Sequence, residues 1–391
     1  MKGKNYFKYI FAVYFSVNIF FIFTGCSGIT VDKEIKVSPD DWIMAGGSPD
    51  QQNVSKFSLS PPLNLMWDYN IEGGVGPAGI TASDAVVFVN ALQGELFTFD
   101  VNSGGKIGNL KFLGKDCSTA PLVMGNNVIF TFAGEKKYSI ASYDLIAGKI
   151  NWRKNYGDIQ TSPILYEGYV YFSNLNGSFY KIEPATGKLL WKYSAKSPVH
   201  STCAISGNTA VFGNDKGIIA AVDISSGSEK WKIETGGPVI STALINNGTA
   251  YIGGDDSNYY SIDLESGKVN WKVNLHSKLI AGSANYQNSS LITGCVDGSV
   301  YSLSAATGEI NWKAETYGAI ISSPVISGNN VYISSYDSYI YSIDANSGKI
   351  IWKYMLENKV KTSPVIWKEY LFVAADEIVY CFTSKNVEKK F

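Results

Sequence analysis

Arginine is almost absent from this 391-residue chain, with Arg153 the single example. A nucleic-acid surface built on arginine forks is therefore excluded. Charge of either sign is scarce. Lysine and arginine number 33 and the acids 34, so charged residues are 17% of the chain, against about 25% for an average soluble domain. The formal net charge of −1 supplies no field for a polyanion. Histidine is limited to His200 and His276, too few for a three-histidine zinc site. There is no C-x-x-C-H haem signal. Cys117, Cys203, Cys295 and Cys381 stand singly in strand-like strings (DCSTA, STCAI, TGCVD, VYCFT) and read as buried free thiols, with disulfide pairing between them left open by an oxidising, exported location. Helical periodicity is missing from the chain beyond its N-terminus.

Aromatics and glycine are abundant: 25 Tyr, 19 Phe, 9 Trp and 38 Gly. This is too apolar for a disordered chain. At about 150 residues per domain the length suggests two or three domains, unless the chain repeats.

It does repeat. Trp152, Trp191, Trp231, Trp271, Trp312 and Trp352 are spaced 39, 40, 40, 41 and 40 residues apart. Each lies four positions after a glycine: Gly148, Gly187, Gly227, Gly267, Gly308 and Gly348. Trp67 opens a further unit, and in the one after it Gly108 or Asn109 replaces the tryptophan. Units thus start near 67, 108, 152, 191, 231, 271, 312 and 352.

Every unit has the same inner order. In Ser322–Tyr354, four short β-branched and aromatic runs alternate with Gly-Asn, Asp-Ser and Asn-Ser-Gly turns. Four strands per period of about 40 residues predict a β-propeller. The last unit supplies three strands, and the first starts with an orphan strand at Asn64–Tyr69. Joined, they complete one blade and remove the open edges. The expected fold is all-β: one eight-bladed propeller of four-stranded antiparallel blades over 41–391, closed by pairing of the N- and C-terminal strands, and monomeric.

The repeated residues have structural work. Asp100, Asp144, Asp223, Asp263 and Asp344 close the third strands and suit a side-chain-to-backbone turn bond. Each tryptophan, on an outermost strand, can dock between blades, worth several kcal/mol at about 25 cal/mol per Å². Thr161-Ser162, Ser201-Thr202, Ser241-Thr242, Ser322-Ser323 and Thr362-Ser363 begin the innermost strands. Small hydroxyls fit where eight strands crowd an axis, as packing and backbone capping, with a ligand-binding ring as the alternative. Asp215, Asp255, Asp256, Asp297 and Asp337 fall in hairpin turns, where turn chemistry accounts for them.

The N-terminus reads as an address. Lys2, Lys4 and Lys8 precede a nearly apolar run from Tyr9 to Phe23, shorter than the about 20 residues a spanning helix needs. That is the pattern of a secretory signal. Phe23-Thr24-Gly25-Cys26 resembles the bacterial lipoprotein box, with phenylalanine in place of the usual leucine. The resemblance implies a lipoprotein signal peptide over 1–25 and lipidation of Cys26. Ser27 fits outer-membrane sorting, facing the periplasm, in a cell with two membranes. Cleavage would leave 30 basic and 34 acidic residues, a net charge of −4. Residues 26–40 are polar and aperiodic, and are expected to be a flexible, lipid-anchored tether.

The strings D-x-x-[ST]-G-x-x-x-W and S-S-P-V-I…V-Y-I-S resemble the pyrroloquinoline-quinone (PQQ) propeller repeat over residues 42–391. Two exported groups carry it: quinoprotein dehydrogenases, and lipoproteins of the outer-membrane β-barrel assembly machine. Asp41-Trp42-Ile43-Met44-Ala45-Gly46-Gly47 resembles the opening of many quinoproteins, and reads here as a segment packed on a propeller face. A quinoprotein needs a planar cofactor on the axis, a calcium held by carboxylate and amide oxygens, and an aspartate base. Many also carry adjacent cysteines, and this chain has none. The resemblance to the second group implies a non-catalytic scaffold with no cofactor, partnered by the assembly complex and by the membrane through Cys26. A quinone-dependent dehydrogenase and a surface ligand-binding or sensor propeller are the alternatives.

Overall fold

A four-residue β-branched run has two faces to bury and a row of backbone groups to pair. Here each run pairs with its successor through a tight turn, so consecutive strands build one antiparallel sheet after another. The computed structural model describes residues 28–112, 116–134 and 137–386. They form eight sheets of four strands, one of them with an added fifth. Blades 1 to 7 span 75–111, 122–154, 164–194, 204–234, 244–274, 283–315 and 325–355. Blade 8 combines Val365–Trp367, Tyr370–Ala375 and Ile378–Thr383 with the early strand Asn64–Asn70. Asn64 pairs with Thr383 and Asn70 with Ile378, which closes the ring. No helix among the described residues is long and apolar enough to cross a membrane.

Every outermost strand carries a bulge at the same place. The register slips between Ile150 and Trp152, and likewise opposite Lys181, Ala221, Ser261, Ser302 and Ser342. The residue left over is the one just before the tryptophan. A bulge re-aims the side chain that follows it, and here it turns each indole toward the next blade.

What it meets there is the next unit's glycine. A Cβ at Gly104, Gly187, Gly227, Gly267, Gly308 or Gly348 would come within 2.6–2.8 Å of the ring of Trp67, Trp152, Trp191, Trp231, Trp271 or Trp312 respectively. Each indole Nε1 also donates to the carbonyl beyond the next third-strand turn residue: Val101, Pro184, Ile224, Leu264, Ala305 and Ala345. Trp352 packs edge-on to Phe382 of blade 8, at 6.1 Å.

Residues 28–40 differ from the expected tether. Ile29, Val31 and Ile35 are buried against blades 1 and 2. Tyr143 Oη accepts from Ile29 N at 3.0 Å, Leu145 O accepts from Val31 N at 2.9 Å, and Asn126 Oδ1 accepts from Ile35 N at 2.8 Å. The aperiodic string hides three apolar side chains that only an existing ring can bury. Cys26 and the signal segment lie outside the described residues.

Candidate functional site

The axis is built from the start of each innermost strand. Pro77 and Ala78, Ser118, Ser162, Thr202, Thr242, Gly282, Ser323 and Ser363 bring all eight blades to one funnel of about 250 Å³. Its hydroxyls serve the ring itself. The first hydroxyl bonds within its own blade in four of the five pairs: Thr161 to Ser173 O, Ser241 to Gly253 O, Ser322 to Ser334 O and Thr362 to Ala374 O, at 2.7–3.0 Å, whereas Ser201 donates across to Ser241 O of the next blade at 2.6 Å. The second reaches the neighbouring blade. Ser162 Oγ accepts from Ala120 N, Thr202 Oγ1 from Ser162 N, Ser323 Oγ from Gly282 N and Ser363 Oγ from Ser323 N, at 2.8–3.1 Å. Buried amides that would otherwise lack partners are thereby satisfied.

The funnel is blind. On the opposite face, residues 42–59 run round the ring as a belt. Trp42 bridges to Ala82 of blade 1, and Ile43 O accepts from Val123 N of blade 2. Pro49 O, Asp50 O, Gln52 O and Asn53 O accept from Ile205, Ile245, Asn285 and Ile326 of blades 4 to 7, at 2.8–3.0 Å. Val54–Ser55 adds a parallel strand to blade 7. Met44 packs in the core shared by blades 2, 3 and 4. Asp41 Oδ1 accepts from Trp367 Nε1 of blade 8 at 2.6 Å, and its Oδ2 accepts from Ser83 Oγ at 2.8 Å. Ala45, Gly46, Gln51 and Asn53 form the floor under the axis. Outside it, the same segment surrounds an open depression of about 850 Å³.

The remaining candidates are spread round the rim. Asp215 Oδ1 bonds His200 Nδ1 at 2.9 Å. Asp256 and Asp337 each accept from a nearby backbone N–H and a tyrosine, Tyr260 at 2.5 Å and Tyr341 at 2.6 Å. Asp297 caps Ser299 N, and Asp255 pairs with Lys278. His276 is apart from all of these, its N–H on Asn274. The four cysteines are free and buried. Burial pushes the thiols of Cys203 and Cys295 up to about 12.

No carboxylate and no lysine or arginine lines the funnel. Two of its lining side chains, Gln160 and His200, bond acids outside it, Asp116 and Asp215. No group of three or more His, Cys, Asp or Glu side chains able to hold a metal occurs among the described residues. These residues do not match the donor set of a quinone with calcium, and no step through such a group follows from them. The belt contributes the floor of the site, yet nothing in the repeat grammar marked residues 48–59, which carry no period.

Fold and axis together define an eight-bladed propeller of the PQQ-repeat class. The family described as outer membrane protein assembly factor BamB matches residues 48–198 and 176–386, and the chain belongs to it. Among solved structures, BamB from Moraxella catarrhalis is 14% identical with a TM-score of 0.65, covering 82% of this chain and 99% of that one. A europium-containing methanol dehydrogenase is 10% identical with a TM-score of 0.76, covering 88% and 98%. The computationally designed Ika8 protein is 17% identical with a TM-score of 0.71, covering 80% and 98%. At such identities these likenesses concern the fold alone. No curated protein matches the chain.

Proposed function

We propose that this protein is a non-catalytic, exported, lipid-anchored scaffold that holds another protein during assembly of outer-membrane β-barrel proteins. The carrying observation is an axis lined by small side chains whose hydroxyls bond the ring itself, in a chain of the BamB family. With the axis committed to structure, the loops and outer edges are the working surface. Outermost strands present unpaired edges, and Leu190 and Ile351 stand exposed at their bulges. An extended segment of a partner can pair with such an edge. In this reading residues 1–25 are a signal peptide, Cys26 carries the lipid, and the propeller hangs from the outer membrane into the periplasm.

The test is co-purification of the acylated protein from gently solubilised membranes. The β-barrel assembly complex is the expected companion. Its absence, under conditions that keep that complex intact, overturns the reading. Mass spectrometry of the wild type should show the diacylglyceryl mass, lost in Cys26→Ser.

A further inference from the structure

One blade seam lacks its indole. Blade 1 has Gly108 where other units carry tryptophan, and Gly148 of blade 2 therefore has no ring to face. The N-terminal segment fills the gap. A Cβ at Gly108 would meet Gly28 O at 2.8 Å and Ile29 Cα at 3.1 Å, and one at Gly148 would meet Thr30 Oγ1 at 2.9 Å. Six seams send an indole N–H to the carbonyl beyond the turn residue of the third strand. At this seam the corresponding carbonyl is Leu145 O, and it accepts from Val31 N at 2.9 Å. Tyr143 Oη accepts from Ile29 N and donates to Ile29 O, and Ile29 is fully buried. Residues 28–31 stand where the indole would be, down to its hydrogen bond.

We infer that this docking makes the seam of blades 1 and 2 the wall that rests on the lipid surface. The inference builds on the lipoprotein reading above. Cys26 is two residues from Gly28, so its acyl chains emerge within about 7 Å of the docked backbone. A free tether of fifteen residues would let the ring swing over roughly 20 Å. Beside the docked segment, Ile107 is 36% and Ile146 40% exposed, with Lys106 and Lys149 exposed next to them. Apolar side chains with flanking lysines suit the headgroup region of a bilayer. The ring is thus held on its side, with both propeller faces free.

The test uses the full acylated protein in vesicles of phosphatidylethanolamine and phosphatidylglycerol. A benzoylphenylalanine photo-crosslinker replaces Ile107 or Ile146 at the seam, or Leu190 or Ile310 elsewhere on the wall. Lipid adducts several-fold higher at 107 and 146 are expected, and equal yields overturn the inference. Mass spectrometry of the same sample separates the two failures. A missing acyl mass defeats the lipoprotein reading and this inference with it. An acylated protein with equal yields defeats the orientation alone. Gly108→Trp supplies the missing ring, and should speed amide exchange at Val31 by about tenfold or more while evening out the adducts. Ile29→Asp should do the same without touching a blade. Unchanged exchange in both variants overturns the docking argument.

Discussion

Gly348 lies against the indole of Trp312, the tryptophan of the preceding unit and not the one four residues ahead of it. A Cβ at 348 would fall 2.7 Å from the ring, and the residue sits at φ +72°. The repeat is therefore a set of contacts between neighbours. Each unit provides a ring for the next and a bare backbone for the previous one.

Gly348→Ala should cost about 2–4 kcal/mol, from left-handed strain together with overpacking. Gly168→Ala is the control, since Gly168 has φ +79° with nothing within 4 Å of the added Cβ. It should cost only the strain, about 1 kcal/mol. Urea unfolding measures both, and equal losses would remove the ring contact from the account.

The belt should depend on Asp41. Asp41→Ala strips the acceptor from Trp367 Nε1 and Ser83 Oγ, both buried. A loss of about 1–3 kcal/mol is expected. Hydrogen exchange should quicken across 42–53 and remain unchanged in the outer strands. Uniform quickening would mean that the belt is not a separate unit.

Acid should loosen the third-strand turns. The Ser347 hydroxyl, followed by the Ser347 and Asn346 backbone, holds the Asp344 carboxyl below its ordinary 3.8. Asp223 is lowered chiefly by the Ser226 backbone, and Asp263 chiefly by the Ser266 hydroxyl. The unfolded chain keeps the ordinary value and takes up protons first as pH falls. This stability is complete above about pH 5 and is lost as pH drops through the folded values. Urea midpoints should fall below that pH, and less so in a triple variant with Asn at 223, 263 and 344. Identical slopes would refute the turn-bond argument.

The thiols should be inert in the folded state. Cys117, Cys203, Cys295 and Cys381 are buried, and burial raises all four. An aromatic disulfide reagent at pH 8 should find none of them until denaturant is added, then all four. Fast native labelling would show that a blade opens.

Much of the ring was legible in the sequence because its signals are local. A turn residue, a glycine and a tryptophan recur at one spacing, and the strands between them are short β-branched runs. The closing pair Asn64–Asn70 with Ile378–Thr383 follows from counting strands. The bulge before each tryptophan, and before Gly108 in blade 1, was not legible. Met66, Ile107, Asn151, Leu190, Lys230, Asn270, Asn311 and Ile351 share no residue type that marks an unpaired position. At the axis, the hydroxyl pairs were visible, while the direction of each bond depends on the neighbouring blade.

The sequence by itself determined eight blades, their closure and the kinds of residue at the axis, because each unit repeats one local set of turns and strands. Only the tertiary structure decided where residues 28–59 go. They carry no period, and their partners are an empty indole site at Gly108 and a row of inner-strand amides. Those partners exist only once eight blades stand in a ring. The physical reason is that an aperiodic segment is placed by what the finished ring leaves unfilled and unpaired.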